Sequence, residues 1–370
     1  MGLEEEIEAL EQEIAETPYN KATEQHIGRL KARIAELKED LEARESGSGG
    51  GAGYHVAKTG DATVAMVGFP SVGKSTLLNA LTNAESEVGA YDFTTLEVTP
   101  GMIEYRGAQL QLLDVPGLIE GASRGRGRGR EVLSMVRAAD LVLIVLSPFE
   151  VERYADLHEE LHANQVRLDA EPPRVSVTPK PQGGIDVTAP ATLELDEETV
   201  VEVVREHGHV NADVHIAERV DVDRLIDGLM DNRVYLPSLV AVNKVDLIDE
   251  GYRSTLEADL RDQGLDPEAV SYVSAETGRG LEGLCERIWD TLGLRRVYLR
   301  EPGADPDFEE PLIVREGDTV ADAIARLGGT MRDRFRFARV TGDSARHDDQ
   351  QVGLDHRLAD GDVLTLVLRR

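Results

Sequence analysis

The spacing of apolar positions divides the chain into stretches of different period, and each period predicts a different kind of element. Leu3 to Glu16 and Tyr19 to Arg44 read as two helices separated at Thr17-Pro18. In the second, Ile27, Leu30, Ile34, Leu37 and Leu41 recur in alternating steps of three and four, a narrow seam that requires a partner. Ile7, Leu10 and Ile14 of the first helix supply one in an antiparallel hairpin; a solvated helix packed on the main domain satisfies the pattern equally. Ser46 to Gly53 has side chains too small to fix a conformation and reads as a flexible linker.

From Asp61 the pattern changes to short apolar strands alternating with helices, as in a parallel α/β sheet. The predicted strands are Thr63 to Val67, Leu110 to Leu113, Leu141 to Leu146, Ser238 to Val242 and Ser271 to Val273. Between Glu150 and about Gly228 the alternation is interrupted by Pro172-Pro173, Pro179, Pro181 and Gly183-Gly184, with Asp196 to His207 helical in pattern. After Leu294, Pro311 to Val314, Thr319 to Leu327, Phe337 to Val340 and Asp362 to Leu368 predict strand, helix, strand, strand in a compact β-grasp-like unit. The expected architecture is therefore an N-terminal helical hairpin (1–45), a linker (46–60) and an α/β domain in two parts (61–149 and 229–292). An inserted α+β subdomain (150–228) separates those parts, and a β-grasp-like interaction domain (293–370) closes the chain.

Charge narrows the setting. The 370 residues carry 70 Asp and Glu against 40 Lys and Arg, a net charge of −30, and only seven of the basic residues are lysines. Dispersed carboxylates keep a protein soluble where salt screens charge to about 3 Å at 1 M, so a high-salt cytoplasm is the favoured reading. An acidic protein that avoids nucleic acid has the same total. No apolar run approaches the ~20 residues of a membrane span, and the acidic N-terminus is the opposite of a signal peptide. Cys285, the only cysteine, sits among Leu281, Leu284, Ile288 and Trp289 and reads as a core thiol. His158, His162, His207, His209 and His215 show no metal-ligand spacing and read as surface residues.

The candidate chemistry begins at Gly68-Phe69-Pro70-Ser71-Val72-Gly73-Lys74-Ser75-Thr76, a full G-x-x-x-x-G-K-[ST] match between a strand and a helix start. Such a loop turns backbone N–H groups around anionic oxygens, and the helix N-terminus adds partial positive charge. Gly68, Ser71, Val72, Gly73, Lys74, Ser75 and Thr76 are the candidate phosphate contacts. Lys74 is placed to bridge β and γ phosphates and the Ser75 hydroxyl to hold Mg²⁺. Asp114-Val115-Pro116-Gly117 ends the next strand, with Asp114 a second Mg²⁺ candidate and the Gly117 N–H a sensor of the γ phosphate. Within Asp92-Phe93-Thr94-Thr95, Thr95 is favoured over Thr94 as a hydroxyl that reaches Mg²⁺ when GTP is bound.

Asn243-Lys244-Val245-Asp246 ends another strand. The Asp246 carboxylate can accept from guanine N1 and N2, a pattern adenine cannot supply, while Asn243 braces the loop and Lys244 lies along the base. Ser274-Ala275-Glu276 places the Ala275 N–H near guanine O6. Ser123 to Arg130, alternating Gly and Arg, reads as a nucleotide-sensitive switch loop, with RNA contact as a second use. Two other classes compete with a GTPase: a non-enzymatic ribosome or RNA binder with nucleotide as a structural ligand, and an ATP-dependent P-loop enzyme. Complete phosphate and magnesium motifs count against the first, and Asn243 to Asp246 against the second.

These motifs together resemble the developmentally regulated GTP-binding proteins, within the Obg-related GTPases. Thr17 to Glu24, Phe93 to Leu96, Leu113 to Ala122, Gly125 to Arg130, Gly183-Gly184-Ile185 and Asn232-Arg233-Val234-Tyr235 are similar to that family's stretches. Gln351 to His356 and Asp360 to Val363 resemble its TGS domain, a ubiquitin-like fold. The resemblance implies GTP hydrolysis coupled to ribosome association and translation, with a small partner protein that stabilises or activates the enzyme. An archaeal origin fits the acidic composition. Potassium is a second cofactor to test: GTPases that use it as a catalytic charge often carry Asn where this chain has Ser71. Leu118 follows Gly117 where Ras-like GTPases carry a water-orienting glutamine, so slow intrinsic hydrolysis is expected. Lys74, Thr95 and Gly117 are the candidate catalytic residues.

Overall fold

The computed structural model describes residues 2–47, 59–82, 100–115, 135–190, 192–328 and 330–369. Thr95, Gly117, Leu118 and the Gly-Arg stretch at 124–130 lie outside the described residues. The chain forms two compact units, Met1–Gly53 with Gln165–Tyr235, and Tyr54–Asn164 with Leu236–Arg370.

In the first unit, helices Leu3–Glu16 and Glu24–Gly47 stand against a three-stranded sheet and two further helices. Strand Ala212–Ile216 lies centrally, antiparallel to Val175–Pro179 and parallel to Ile185–Thr188. Its residues alternate between buried and exposed, the period of a half-buried strand. Helix Glu197–Glu206 buries Val200, Val203 and Val204, and helix Val222–Leu229 buries Leu225 and Ile226. The long N-terminal helix serves two clusters. Ala32 and Ala35 join the sheet-facing core, whereas Ile34 and Leu37 meet Ile7, with Leu3, Leu10 and Ile14 packed alongside. Its first turn begins at Glu24 and not at Tyr19, because the preceding residues close a side-chain-bonded turn. There the Thr23 hydroxyl donates to the Pro18 carbonyl at 2.6 Å and the Asn20 side chain accepts from the Ala22 N–H at 2.9 Å.

The second unit holds a six-stranded sheet in the order Ser271–Tyr272, Ser238–Val242, Leu141–Leu146, Ala62–Val67, Ala108–Asp114 and Pro100–Tyr105. Every neighbouring pair is parallel except the last. Ala62–Val67 and Leu141–Leu146 are buried at every residue, which explains why they read as unbroken apolar runs. The edge strand Pro100–Tyr105 was not evident in the pattern, since Pro100-Gly101 imitates a turn. Gly101 suits this place because a Cβ there would stand 2.3 Å from Cγ2 of Thr82, the residue that caps helix Lys74–Leu81, and 2.9 Å from Leu78 Cδ1 within it. Helix Tyr154–Ala163 belongs to this unit, burying Leu157 and Leu161. The parallel register brings the ends of Ala62–Val67, Ala108–Asp114 and Ser238–Val242 to one edge, the edge at which open α/β sheets bind ligands.

The remaining sheet of this unit runs Leu312–Arg315, Leu294–Leu299, Asp362–Leu368, Phe335–Thr341, Gln350–Val352. Helix Val320–Leu327 covers one face, putting Val320, Ala323 and Ile324 against Val297, Val314, Ala338, Val340 and Leu364. The strand Leu294–Leu299 escapes a reading by periodicity because Arg295, Arg296 and Tyr298 separate its inward residues Leu294 and Val297. Cys285 is buried, and burial together with the charge of Glu282 pushes its thiol up to about 11, as expected of an inert core residue.

Candidate phosphate and base site

The loop between Val67 and Lys74 is shaped by contacts that leave no room for side chains at two positions. A Cβ on Gly68 would lie 2.3 Å from the Val145 carbonyl oxygen, and one on Gly73 would lie 2.5 Å from Asn243 Nδ2. Gly73 also sits at φ +92° as it caps helix Lys74–Leu81. Ser71 adopts φ +66° without being glycine, a strained conformation. Lys244, at φ +65°, donates from Nζ to the Ser71 carbonyl at 2.6 Å.

Asn243 ties the two halves of the site. Its Nδ2 donates to the Val72 carbonyl at 3.0 Å, and its Oδ1 accepts from the Ala275 N–H at 3.0 Å. The side chain is almost wholly buried, so both ends of its amide are satisfied inside the protein. Ser274 is fully buried, and its hydroxyl accepts from the Thr277 N–H. The expected base site is thereby fastened to the phosphate loop by two neighbouring side chains, Asn243 and Lys244. Around it lies a cavity of about 230 Å³ lined by Gly73, Thr76, Asn243, Lys244, Asp246, Leu247, Ala275 and Glu276. Leu247 was not singled out from sequence. It is exposed, an apolar side chain left at the rim of a cleft.

At the other end of the loop, Lys74 Nζ donates to the carbonyls of Gly68 at 2.9 Å and Phe69 at 3.1 Å. Burial lowers its pKa, and the negative charge of Asp114 opposes that shift. The Ser75 hydroxyl donates to Asp114 Oδ2 at 2.5 Å. Asp114 Oδ1 is buried without a hydrogen-bond partner among the described residues. A serine hydroxyl beside a carboxylate with one free oxygen is a donor set suited to Mg²⁺, a hard cation that takes oxygen ligands. No group of three or more His, Cys, Asp or Glu side chains among the described residues forms another metal site. None of their helices is long and apolar enough to cross a membrane.

A parallel sheet whose strands deliver this loop, a carboxylate and an Asn-Lys-x-Asp segment to one edge defines a P-loop GTPase, here carrying a C-terminal TGS domain. Residues 63–180 match the family described as 50S ribosome-binding GTPase, 182–294 the C-terminal region of that domain, and 295–368 the TGS domain. A GTP-binding protein of Halobacterium salinarum is 63% identical over 370 residues, covering 100% of both chains. One from Methanocaldococcus jannaschii is 51% identical, covering 100% of this chain and 94% of its own. The developmentally-regulated G-protein 3 of Arabidopsis thaliana is 43% identical over 98% of this chain and 97% of its own. The chain belongs to the developmentally regulated GTP-binding protein family.

Proposed function

We propose that the protein hydrolyses GTP to GDP and phosphate, and that it does so in the cytoplasm as a ribosome-associated translation factor. The observation that carries the first part is the Ser75–Asp114 pair, with its unpartnered carboxylate oxygen, at the mouth of a loop whose lysine rests on backbone carbonyls. Those carbonyls are weak substitutes for a phosphate, so Lys74 exchanges them for β and γ oxygens when nucleotide binds. Ser75 and Asp114 hold Mg²⁺, which neutralises charge on those oxygens. Thr95 is assigned to the same ion, and the Gly117 N–H to the γ phosphate. Asp246 reads guanine from within the cavity, and Ala275 presents its N–H to O6.

The ribosome is favoured as partner by the match of 63–180 to a family so described. With Leu118 after Gly117, the water-orienting group comes from outside: the ribosome, a small activating protein or K⁺. The deciding experiment is GTP hydrolysis at high KCl, with NaCl as control, with and without ribosomes. We expect a rate for the protein alone near or below the Ras reference of roughly 10⁻⁴ s⁻¹, rising with ribosomes. A rate alone above about 10⁻¹ s⁻¹, beyond a GTPase with its arginine in cis, overturns the dependence on a partner. No hydrolysis even with ribosomes favours a ribosome or RNA binder in which nucleotide is a structural ligand.

A further inference from the structure

Arg153 ends a 3₁₀ turn, Val151–Arg153, just beyond strand Leu141–Leu146. In a chain of net charge −30, its side chain makes no ion pair among the described residues. What it touches is the phosphate loop: its guanidinium carbon stands 4.1 Å from the ring centroid of Phe69. An aromatic face fixes a guanidinium without neutralising it, and a stacked guanidinium keeps its N–H groups directed outward at its edge.

We propose that Arg153 reads the terminal phosphate, strengthening the binding of GTP but not of GDP. This rests on the guanine-nucleotide site assigned above. The loop itself has a direction. Gly73 and Thr76, at its helix end, line the cavity that holds Asp246, so the base lies there. Gly68 and Phe69, at its strand end, carry the ammonium of Lys74 on their carbonyls, so the terminal phosphate lies there. Arg153 is on the ring of Phe69, at the terminal end. The strand that leads to it is itself close-packed on the loop, the Val145 carbonyl lying so near Gly68 that only glycine fits. A fixed cation at that end acts on the charge that distinguishes the triphosphate from the diphosphate.

The test is calorimetric titration of GDP and of a non-hydrolysable GTP analogue, with Mg²⁺ and constant KCl, into the full chain and into Arg153→Met and Arg153→Lys. Methionine keeps an apolar stem on the Phe69 ring and removes the charge. We expect it to weaken the GTP analogue about tenfold, as loss of one charge-assisted contact does, and GDP less than about twofold. Lysine recovers part of the difference. Equal weakening of both nucleotides, or of neither, overturns the proposal while the nucleotide site stands. Failure of the unaltered chain to bind either nucleotide overturns that site and the proposal with it. Arg153→Gln carries the same comparison if the methionine variant melts early by circular dichroism.

Discussion

Lys74 donates to two carbonyls and sits in a burial that disfavours its charge. A lysine whose pKa is lowered sheds its proton at lower pH than an exposed one, while phosphate binding requires the charged form. GTP affinity therefore declines as pH rises through that lowered value, and binding on this limb takes up a proton. Titration in buffers of different ionisation heat reads the proton directly; binding without uptake throughout the alkaline limb would show that Lys74 does not contact the phosphates. Asp246, in the cavity, gives the second test at this scale. Asp246→Asn replaces two acceptors by an acceptor and a donor, so guanine affinity falls on the order of 10²-fold and xanthine is preferred. An unchanged preference for guanine in competition binding places the base elsewhere. Both residues were legible as candidates in the sequence because each stands in a short spaced motif, Gly68 to Thr76 and Asn243 to Asp246, that can be read without knowing the packing. The Asn243 bridge to Val72 and Ala275 was legible only as a brace, since its partners are 171 and 32 residues away.

Among elements, the N-terminal helix Glu24–Gly47 shows where reading by period stops. Its seam was visible, but a seam names no partner, and the helix divides its residues between the first helix and the core around Val200 and Val203. Gly28 faces that core, where a Cβ would meet Thr199 Cγ2 and Val203 Cγ2 at 3.4 Å. There is room for a methyl, and glycine costs a helix interior about 1 kcal/mol relative to alanine. Gly28→Ala is therefore expected to stabilise by up to about 1 kcal/mol, read as a higher Tm; a lower Tm would mean the neighbours cannot give. The opposite case is Asp227 on helix Val222–Leu229, nearly buried. It accepts from Arg167 Nε at 2.6 Å and Nη2 at 2.7 Å, and from Arg233 Nε at 2.6 Å. Burial would raise its pKa, but the two arginines outweigh it and hold the carboxyl below its ordinary value. Its contribution is thus complete above the unfolded pKa of 3.8 and is lost as pH falls through the lower folded value. Asp227→Ala removes the carboxylate that two largely buried guanidinium groups share and should cost about 3–5 kcal/mol in denaturant unfolding. It should also flatten the acid limb of the stability curve; a loss below about 1 kcal/mol would show that water already reaches the cluster.

At the scale of the whole molecule, the charge is unevenly spread. Residues 293–370 hold 13 arginines against 15 carboxylates, so almost all of the net −30 lies on the rest of the chain. Within the β-grasp sheet, arginines take carboxylates at close range, as Arg296 does with Asp360 at 2.7 Å and Arg295 with Glu316 at 2.8 Å. Repulsion among unpaired carboxylates acts over about 10 Å at 0.1 M salt and about 3 Å at 1 M, so added KCl relieves it mainly outside residues 293–370. Two results follow from that distribution. Tm rises steeply with KCl over this range, and hydrogen exchange at low salt opens residues 62–67 and 212–216 well before residues 335–341 and 362–368. The first result alone would fit any acidic protein. The order of opening is the sharper measurement, because uniform loss of protection along the chain would mean that salt acts by strengthening apolar burial everywhere and not by screening the charge that this sequence concentrates in its first 292 residues.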